Sequence, residues 1–167
     1  MTAPSFWSLA LVDIPNPDYA DMSIGVLPGG ASVDPAVWAR SMFSLRDMPR
    51  WIVLAMGARQ LLVPLVGIPR APREVFEVQR VEGGEALLGA YDKHLDFRVG
   101  VAVDQAHGLV RVVTTVRLKG WRGRLYFAPV RLAHPLVVHS MLRRSQRALA
   151  RPDSGSTAPR AEVGDRP

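Results

Sequence analysis

Residues 91–103 read "YDKHLDFRVGVAV" and alternate between polar and apolar side chains over almost their whole length. Successive side chains of a β-strand point to opposite faces of a sheet, so this alternation predicts a strand over about 93–103 with one apolar face. His94, Asp96 and Arg98 share its polar face. They form either a row of catalytic or ligand-binding groups or the solvated face of a structural strand.

The next alternating segment, GLVRVVTTVRLKG at about 108–120, is expected to pair with the first strand as a hairpin. In the register that puts Val103 opposite Val110, the apolar face of one strand meets the apolar face of the other. Thr114 is the polar exception on this face. A slip by one residue would bury charges and expose hydrophobic side chains, so this register is strongly favoured.

The same register sets Asp96 opposite Arg117 and favours the structural interpretation of the polar row. His94, Asp96 and Arg98 then line an outer surface with an ion pair between Asp96 and Arg117, and exposed pairs contribute only about 0–1 kcal/mol. Gly100 and Ala102 extend this face with small residues, which suit close approach by another chain or by a terminal element. A partner or homo-oligomer surface is the second interpretation, and a catalytic or ligand-binding row is the third.

The hydrophobic period of the chain changes from helical to alternating and back to helical. Asp34 and Pro35 are a helix start signal, and Pro135 is expected to bend or divide the last helix. The predicted elements are strands at 8–14 and 20–28, helices at about 35–45 and 50–66, strands at 74–82, 85–92, 93–103 and 108–120, and a helix at about 124–150.

This order of elements predicts an α+β fold in which a curved antiparallel sheet wraps around a long C-terminal helix, with two short helices after the first strand. A sheet with one apolar face needs a cover, and the last helix carries the matching stripe. We expect one domain over 1–150 with a cavity between sheet and helix, and a disordered tail over 151–167. The stripe consists of Phe127, Val130, His134, Val137, Val138, Met141 and Leu142.

Composition restricts the chemistry and the location of the protein. The 167 residues include no cysteine, which excludes disulfides, thiolate catalysis and cysteine-ligated metal sites. The first residues lack the basic region of a secretory signal, and a cytoplasmic location is expected. The most apolar stretch, 51–68, contains Arg59 and Pro64, so we interpret it as a buried core helix rather than a membrane span.

Positive charge is concentrated in the last third of the chain. The net charge is +6, and no Asp or Glu occurs between Gln105 and Pro152, where ten Lys and Arg residues lie. Such asymmetry can attract nucleic acid, anionic lipid or an acidic ligand. A solvated, arginine-rich helix face is the simpler interpretation, and a nucleic-acid partner is not expected.

His134 is the candidate catalytic residue, because a buried histidine among apolar residues titrates near or below neutral pH. A core histidine with satisfied hydrogen bonds is the alternative. The histidines have no metal-ligand spacing, and "GVLPGGAS" lacks the G-x-G-x-x-G spacing of a dinucleotide site, so neither metal nor cofactor is expected. The residues expected to line the cavity are Phe97, Val99, Thr114, Val116, Tyr126, Phe127, Val130, His134, Val137 and Met141.

The segments "LGAYDKHLDFRVGVAV" and "VVTTVRLKGWRGRLYFAPVRLAHPLVVHSML" resemble the bacterial DUF2867 family, as does "DPAVWARSMF" with the apolar run after it. The resemblance covers about residues 6–148. Family members commonly have an aromatic residue directly before the histidine, where this chain has Leu132 and Ala133 before His134.

The resemblance implies a fold similar to the helix-grip fold of START-like (SRPBCC, Bet v 1-like) proteins. Those proteins commonly bind apolar small molecules between sheet and helix, and some are cyclases or hydrolases. Relatives also resemble the C-terminal partner of NAD(P)-binding reductase domains. Three functions follow as hypotheses: binding of a hydrophobic small molecule, a cyclase- or isomerase-like enzyme with His134 as acid or base, and an accessory interaction protein that uses its basic C-terminal helix.

Overall fold

The structure, a computed structural model, describes residues 7–44, 76–91 and 93–150. The predicted helix at 50–66, the apolar stretch 51–68 and the tail 151–167 lie outside the described residues. The described elements are α1 (Leu9–Asp13), β1 (Tyr19–Val26), α2 (Pro35–Phe43), β2 (Arg80–Glu82), β3 (Glu85–Tyr91), β4 (Leu95–Asp104), β5 (Leu109–Leu118) and α3 (Gly120–Leu149).

The five strands form one antiparallel sheet in the order β1-β5-β4-β3-β2. The predicted hairpin register is confirmed residue by residue, from Leu95 opposite Leu118 to Val103 opposite Val110. The strand predicted over 74–82 is shorter than expected, since in its described part only Arg80–Glu82 form a strand. The α+β class, the antiparallel sheet and the long C-terminal helix are all confirmed.

One face of the sheet, called here the inner face, packs against α2 and α3. Asp34 caps α2 as predicted, because its carboxylate accepts a hydrogen bond from the Ala36 N–H at 2.8 Å. The buried core of this layer consists of Ala36, Trp38, Ala39 and Met42 of α2, Ala86, Leu88, Val99, Val101, Val110 and Val112 of the sheet, and Val138, Met141 and Leu142 of α3.

α3 is a single helix of 30 residues that contains both Pro129 and Pro135. Of the two predicted effects of Pro135, division of the helix is therefore wrong, and the helix begins at Gly120, before the predicted start. Proline removes the N–H that would bond to the carbonyl four residues earlier. Pro135 and Arg131 are both exposed, so water can solvate that carbonyl and the helix continues.

The opposite face of the sheet, called here the outer face, is covered by α1 where α1 contacts β3, β4 and β5. The strand predicted over 8–14 is wrong, because Leu9–Asp13 form a helix capped by the Ser8 side chain. Leu9 and Ala10 pack with Leu87 and Val113 of the sheet. The Thr115 hydroxyl donates a hydrogen bond to the Ala10 carbonyl at 3.0 Å, which attaches α1 to β5.

Because α1 covers the outer face, the interpretation of the polar row as a solvated surface is wrong. Asp96 is 5% exposed and Arg98 is 4% exposed. The predicted ion pair of Asp96 with Arg117 is also replaced, since Asp96 contacts Lys119 Nζ at 2.6 Å. Burial is tolerated because each of these charges has an oppositely charged partner.

Gly100 has the close neighbour that its small size predicts. A side chain at this position would collide with the Glu85 carboxylate, which is fully buried beside it. Ser8 Oγ donates a hydrogen bond to Glu85 Oε1 at 2.5 Å, and Arg111 lies 3.5 Å from Oε2 of the same carboxylate. The small residues of β4 thus leave room for a polar contact with the start of α1.

Candidate functional site

β1 has the opposite polarity to the other long strands. Its inner-face residues include Tyr19 and Asp21, whereas Met22, Ile24 and Val26 point outward and are exposed. Polar side chains between a sheet and a helix lower stability unless they find partners. β1 therefore faces α3 with polar side chains. This part of the inner face is the candidate site.

His134 of α3 is the group that these polar side chains meet. Its Nδ1 lies 3.5 Å from the Tyr19 hydroxyl and 3.6 Å from Asp21 Oδ2. The Tyr19 ring packs edge-on against His134, with ring centroids 5.6 Å apart, and against Phe127 at 5.1 Å. The cluster of Tyr19, Asp21 and His134 is thus held by both the strand pairing of β1 and the packing of α3.

The protonation of the cluster follows from its partial burial. Burial lowers the pKa of His134 below its ordinary value of 6.5, and the Asp21 carboxylate acts in the opposite direction but more weakly. Burial also raises the pKa of Tyr19 above 10.0, with a smaller contribution from Asp21. At neutral pH the imidazole and the phenol are therefore uncharged, and both can donate or accept a hydrogen bond.

The strand register extends the site from this polar edge into apolar surface. Asp21 lies opposite Thr114, and Thr114 lies opposite Val99. In the neighbouring row Tyr19 lies opposite Val116, which lies opposite Phe97. Adjacent strands are about 4.8 Å apart, so about 10 Å of mostly apolar inner face separates the polar cluster from β4.

Three aromatic rings lie at the β4 end of this surface. Phe43, at the end of α2, stacks on Phe76 with centroids 5.2 Å apart, and Phe76 lies 6.4 Å from Phe97. The inner face therefore has an aromatic end at β4 and a polar end at β1.

The predicted lining residues are found on the sheet's inner face and on α3. Phe97, Val99, Thr114 and Val116 share the inner face by register. The buried members of the full set are Val99, Thr114, Val116, Phe127 and Met141, and the half-buried members are Phe97, Tyr126, Val130, His134 and Val137. Asp96 and Arg98 lie on the other face of the sheet, so they cannot share a site with His134, and His94 precedes β4 and lies outside the sheet.

Sequence reasoning found His134 but missed Tyr19 and Asp21. The polar groups that face its Nδ1 come from β1 and not from Thr114, the polar exception on the apolar face of the predicted hairpin. A signal was present in "YADMSIGV", where polar and apolar residues alternate. From the alternation alone, the polar side of this strand would be predicted to face solvent. The position of β1 beneath α3 instead places its polar side against the helix.

A second feature is an open hollow of about 370 Å³ near the C-terminal end of α3, lined by Arg143, Gln146, Arg147 and Ala150. Gln146 donates a hydrogen bond from Nε2 to the Val26 carbonyl at 2.6 Å, which attaches this end of α3 to β1. Nine residues of helix, about 13 Å, separate Arg143 from His134, so the hollow is distinct from the polar cluster.

Within the described residues, no three His, Asp or Glu side chains come together as a metal site. None of the helices in ranges 7–44, 76–91 and 93–150 is long and apolar enough to cross a membrane.

The family model DUF2867, described as a protein of unknown function, matches residues 14–141, and the chain belongs to this family. Tyr19, Asp21 and His134 all lie within the matched range. Neither the curated proteins nor the solved structures include a significant match to the chain.

Proposed function

We propose that this DUF2867 protein binds a hydrophobic small molecule with one polar group between the inner face of its sheet and α3. The observation that supports this most is the cluster of Tyr19, Asp21 and His134 beside an otherwise apolar surface. A few polar groups at one end of an apolar site fix the orientation of a ligand, while the apolar part supplies most of the affinity.

The charges of the cluster restrict the polar group of the ligand. The Tyr19 hydroxyl and the neutral His134 imidazole suit a hydroxyl, carbonyl or amide. The Asp21 carboxylate, 3.6 Å from His134 Nδ1, would repel an anionic group. The proposed ligand class is therefore neutral or cationic at its polar end.

We extend the proposal to the fold family. A long C-terminal helix on an antiparallel sheet is the arrangement of the START-like helix-grip proteins, here as a single domain over 1–150. The order of elements and the resemblance of the sequence support this assignment. A polar cluster at the helix–sheet boundary also suits the position at which such proteins bind small molecules.

A matched pair of probes tests the proposal. 1-Naphthol and naphthalene differ by one hydroxyl group, and binding of each is followed by fluorescence titration. We expect His134→Leu to weaken binding of 1-naphthol about tenfold, which corresponds to one hydrogen bond of about 1.4 kcal/mol. Naphthalene should bind the variant within about twofold of the wild type, since it makes no hydrogen bond to lose.

His139→Leu is the matched control, because His139 is an exposed histidine on the same helix. It should leave both affinities unchanged. If His134→Leu binds 1-naphthol as tightly as the wild type, His134 is a core histidine and not part of a ligand site. If the wild type binds neither probe, the inner face is not a site for this class of ligand.

An enzyme that uses His134 as general acid or base is the second candidate function. It is favoured by the neutral imidazole and by Asp21 near Nδ1, because a carboxylate there stabilises the imidazolium formed when the ring accepts a proton. Deuterium incorporation into 2-tetralone in D₂O, followed by NMR, tests for proton abstraction beside a carbonyl. Catalysed exchange that is lost in His134→Gln supports the enzyme, and exchange at the uncatalysed rate rejects it for this substrate class.

A further inference from the structure

The side of α3 that points away from the sheet carries four large exposed apolar side chains. They are Trp121, Leu125, Leu132 and Leu136, and we call them the outer stripe. Trp121 is 67% exposed and Leu132 is 74% exposed. Their spacings of four, seven and four residues align them along one side of a helix.

The outer stripe lies opposite the side of α3 that is buried. At 100° per residue its members lie on average about half a turn from the buried Phe127 and Met141. It extends over about 22 Å at 1.5 Å per residue. Isolated exposed hydrophobic residues are ordinary, but an aligned row on one helix indicates an interaction surface.

Arginines border the outer stripe, and α3 contains no acidic residue. Arg122 lies on one side of the stripe, and Arg124 and Arg131 lie on the other; all three are exposed. Arg143 and Arg147, also exposed, continue the line of the stripe toward the C-terminal end. The surface thus combines an apolar centre with a cationic border.

We propose that the outer stripe of α3 binds the surface of an anionic lipid bilayer, with the helix parallel to the membrane plane. Trp121 and the three leucines enter the boundary between headgroups and acyl chains, and the bordering arginines contact lipid phosphates. Each basic residue close to an anionic surface strengthens binding by about 1 kcal/mol, or about fivefold. This is peripheral binding and involves no membrane-spanning helix.

Two other occupants fit the surface less well. In a two-fold dimer through the outer stripe, Arg122, Arg124 and Arg131 of two copies would approach each other, with no acidic residue in either α3 to neutralise them. A nucleic acid would pair with the arginines but would leave the three leucines exposed to water. An anionic bilayer matches both the apolar and the cationic parts.

The proposal does not depend on the proposed ligand site. His134 lies on the side of α3 that faces β1, so the membrane and a small molecule can be bound together. Failure of one proposal leaves the other intact, because probe binding and vesicle binding are measured separately.

Co-sedimentation of the full chain with vesicles is the test. Vesicles of equal parts phosphatidylcholine and phosphatidylglycerol should bind the protein at least about tenfold more tightly than vesicles of phosphatidylcholine alone, and high salt should reduce this difference. Leu132→Gln/Leu136→Gln should weaken vesicle binding at least about tenfold, because it removes most of the apolar area that these two side chains would bury in the bilayer. Arg122→Gln/Arg131→Gln should weaken it about thirtyfold.

Val81→Gln is the control, since Val81 is an exposed apolar residue on β2 and not on α3. It should bind vesicles like the wild type. The melting temperature of the leucine variant should remain within about 2 °C of the wild type, as expected for exposed positions. A larger decrease would mean that the rest of the chain packs on the stripe, and the proposal would be wrong.

Three other results would also overturn the proposal that the outer stripe binds an anionic bilayer. One is a lack of binding to the anionic vesicles. The second is equal vesicle binding by the wild type and the leucine variant. The third is a dimer in sedimentation velocity that dissociates in the leucine variant, which would identify the outer stripe as an interface between copies.

Discussion

Arg98 Nε lies 2.9 Å from Asp13 Oδ2, and this contact joins the central strand of the sheet to α1 across 85 positions of sequence. The Arg98 guanidinium also lies 3.9 Å from the centre of the Tyr91 ring. Both contacts neutralise or shield a side chain that is almost fully buried. α1 therefore provides the carboxylate that allows an arginine to lie within the outer layer.

Asp13→Ala should destabilise the protein by about 2–4 kcal/mol, because Arg98 remains buried without its carboxylate. Urea denaturation at neutral pH measures this. Glu82→Gln is the control, since Glu82 forms an exposed pair with Arg80 at 3.6 Å and its loss should change stability by no more than about 0.5 kcal/mol. Equal effects of the two substitutions would show that α1 is not anchored by the Arg98 contact.

Asp96→Asn should lower the free energy of unfolding by about 1–3 kcal/mol, the usual contribution of a hydrogen bond to a charged group. Asp96 is almost fully buried and accepts a hydrogen bond from Lys119 Nζ at 2.6 Å. The sequence alone predicts almost no effect, because it places Asp96 on a solvated face. Glu77→Gln, at an exposed position, is the control, and a similarly small change for both substitutions would restore the solvated interpretation.

Gly100→Ala should destabilise the fold by about 1–3 kcal/mol through overpacking. The added methyl group would collide with the buried Glu85 carboxylate, which is held by Ser8. Gly29→Ala is the matched control, because nothing lies within 4 Å of a Cβ at that position. Thermal melting of both variants distinguishes a specific collision from a general effect of replacing glycine.

His134 should titrate below 6.5, and Asp21→Asn should lower its pKa further because the opposing carboxylate charge is lost. The unfolded chain then binds the proton more tightly than the folded protein does. Stability from this group is complete above about pH 6.5 and decreases as the pH falls from 6.5 through the folded pKa.

Histidine NMR resonances, with His134 assigned through His134→Leu, measure these values. Asp104→Asn is the control, since Asp104 contacts His107 in the exposed β4–β5 turn and should leave the titration of His134 unchanged. A pKa for His134 at or above 6.5 would mean that the Asp21 charge outweighs burial.

The hairpin of β4 and β5 could be predicted from the sequence because its pairing is local and its alternation permits one favourable register. The helix α1 could not be predicted in the same way. "SLALVDI" is short enough to suit a strand, and its helix is decided by the Ser8 cap and by packing on the outer face. Because α1 is not predicted, the buried ion pairs of Asp96 and Arg98 are not predicted either. Alternation shows that a strand has two faces, but it does not show what covers each face.

The polar cluster of the candidate site was predictable only on its α3 side. His134 follows from helical periodicity, but Tyr19 and Asp21 become its neighbours through the pairing of β1 with β5, which is distant in sequence. Neither composition nor local periodicity shows which strand takes the edge position beneath α3. The inverted polarity of β1 became interpretable only once the strand order was known.

The strand order also sets a sequence of events during synthesis of the chain. The β4–β5 hairpin has a short connection and can form within microseconds of leaving the ribosome. β1 is synthesised long before β5 but can pair only after β5 has emerged. Pairing of two strands so far apart in sequence is slow. Tyr19 and His134 are 115 positions apart, so the polar cluster is assembled only after most of the chain has emerged. A truncated or stalled chain would therefore hold β1 without its partner strand, and the unpaired edges and exposed apolar side chains of such a chain favour aggregation.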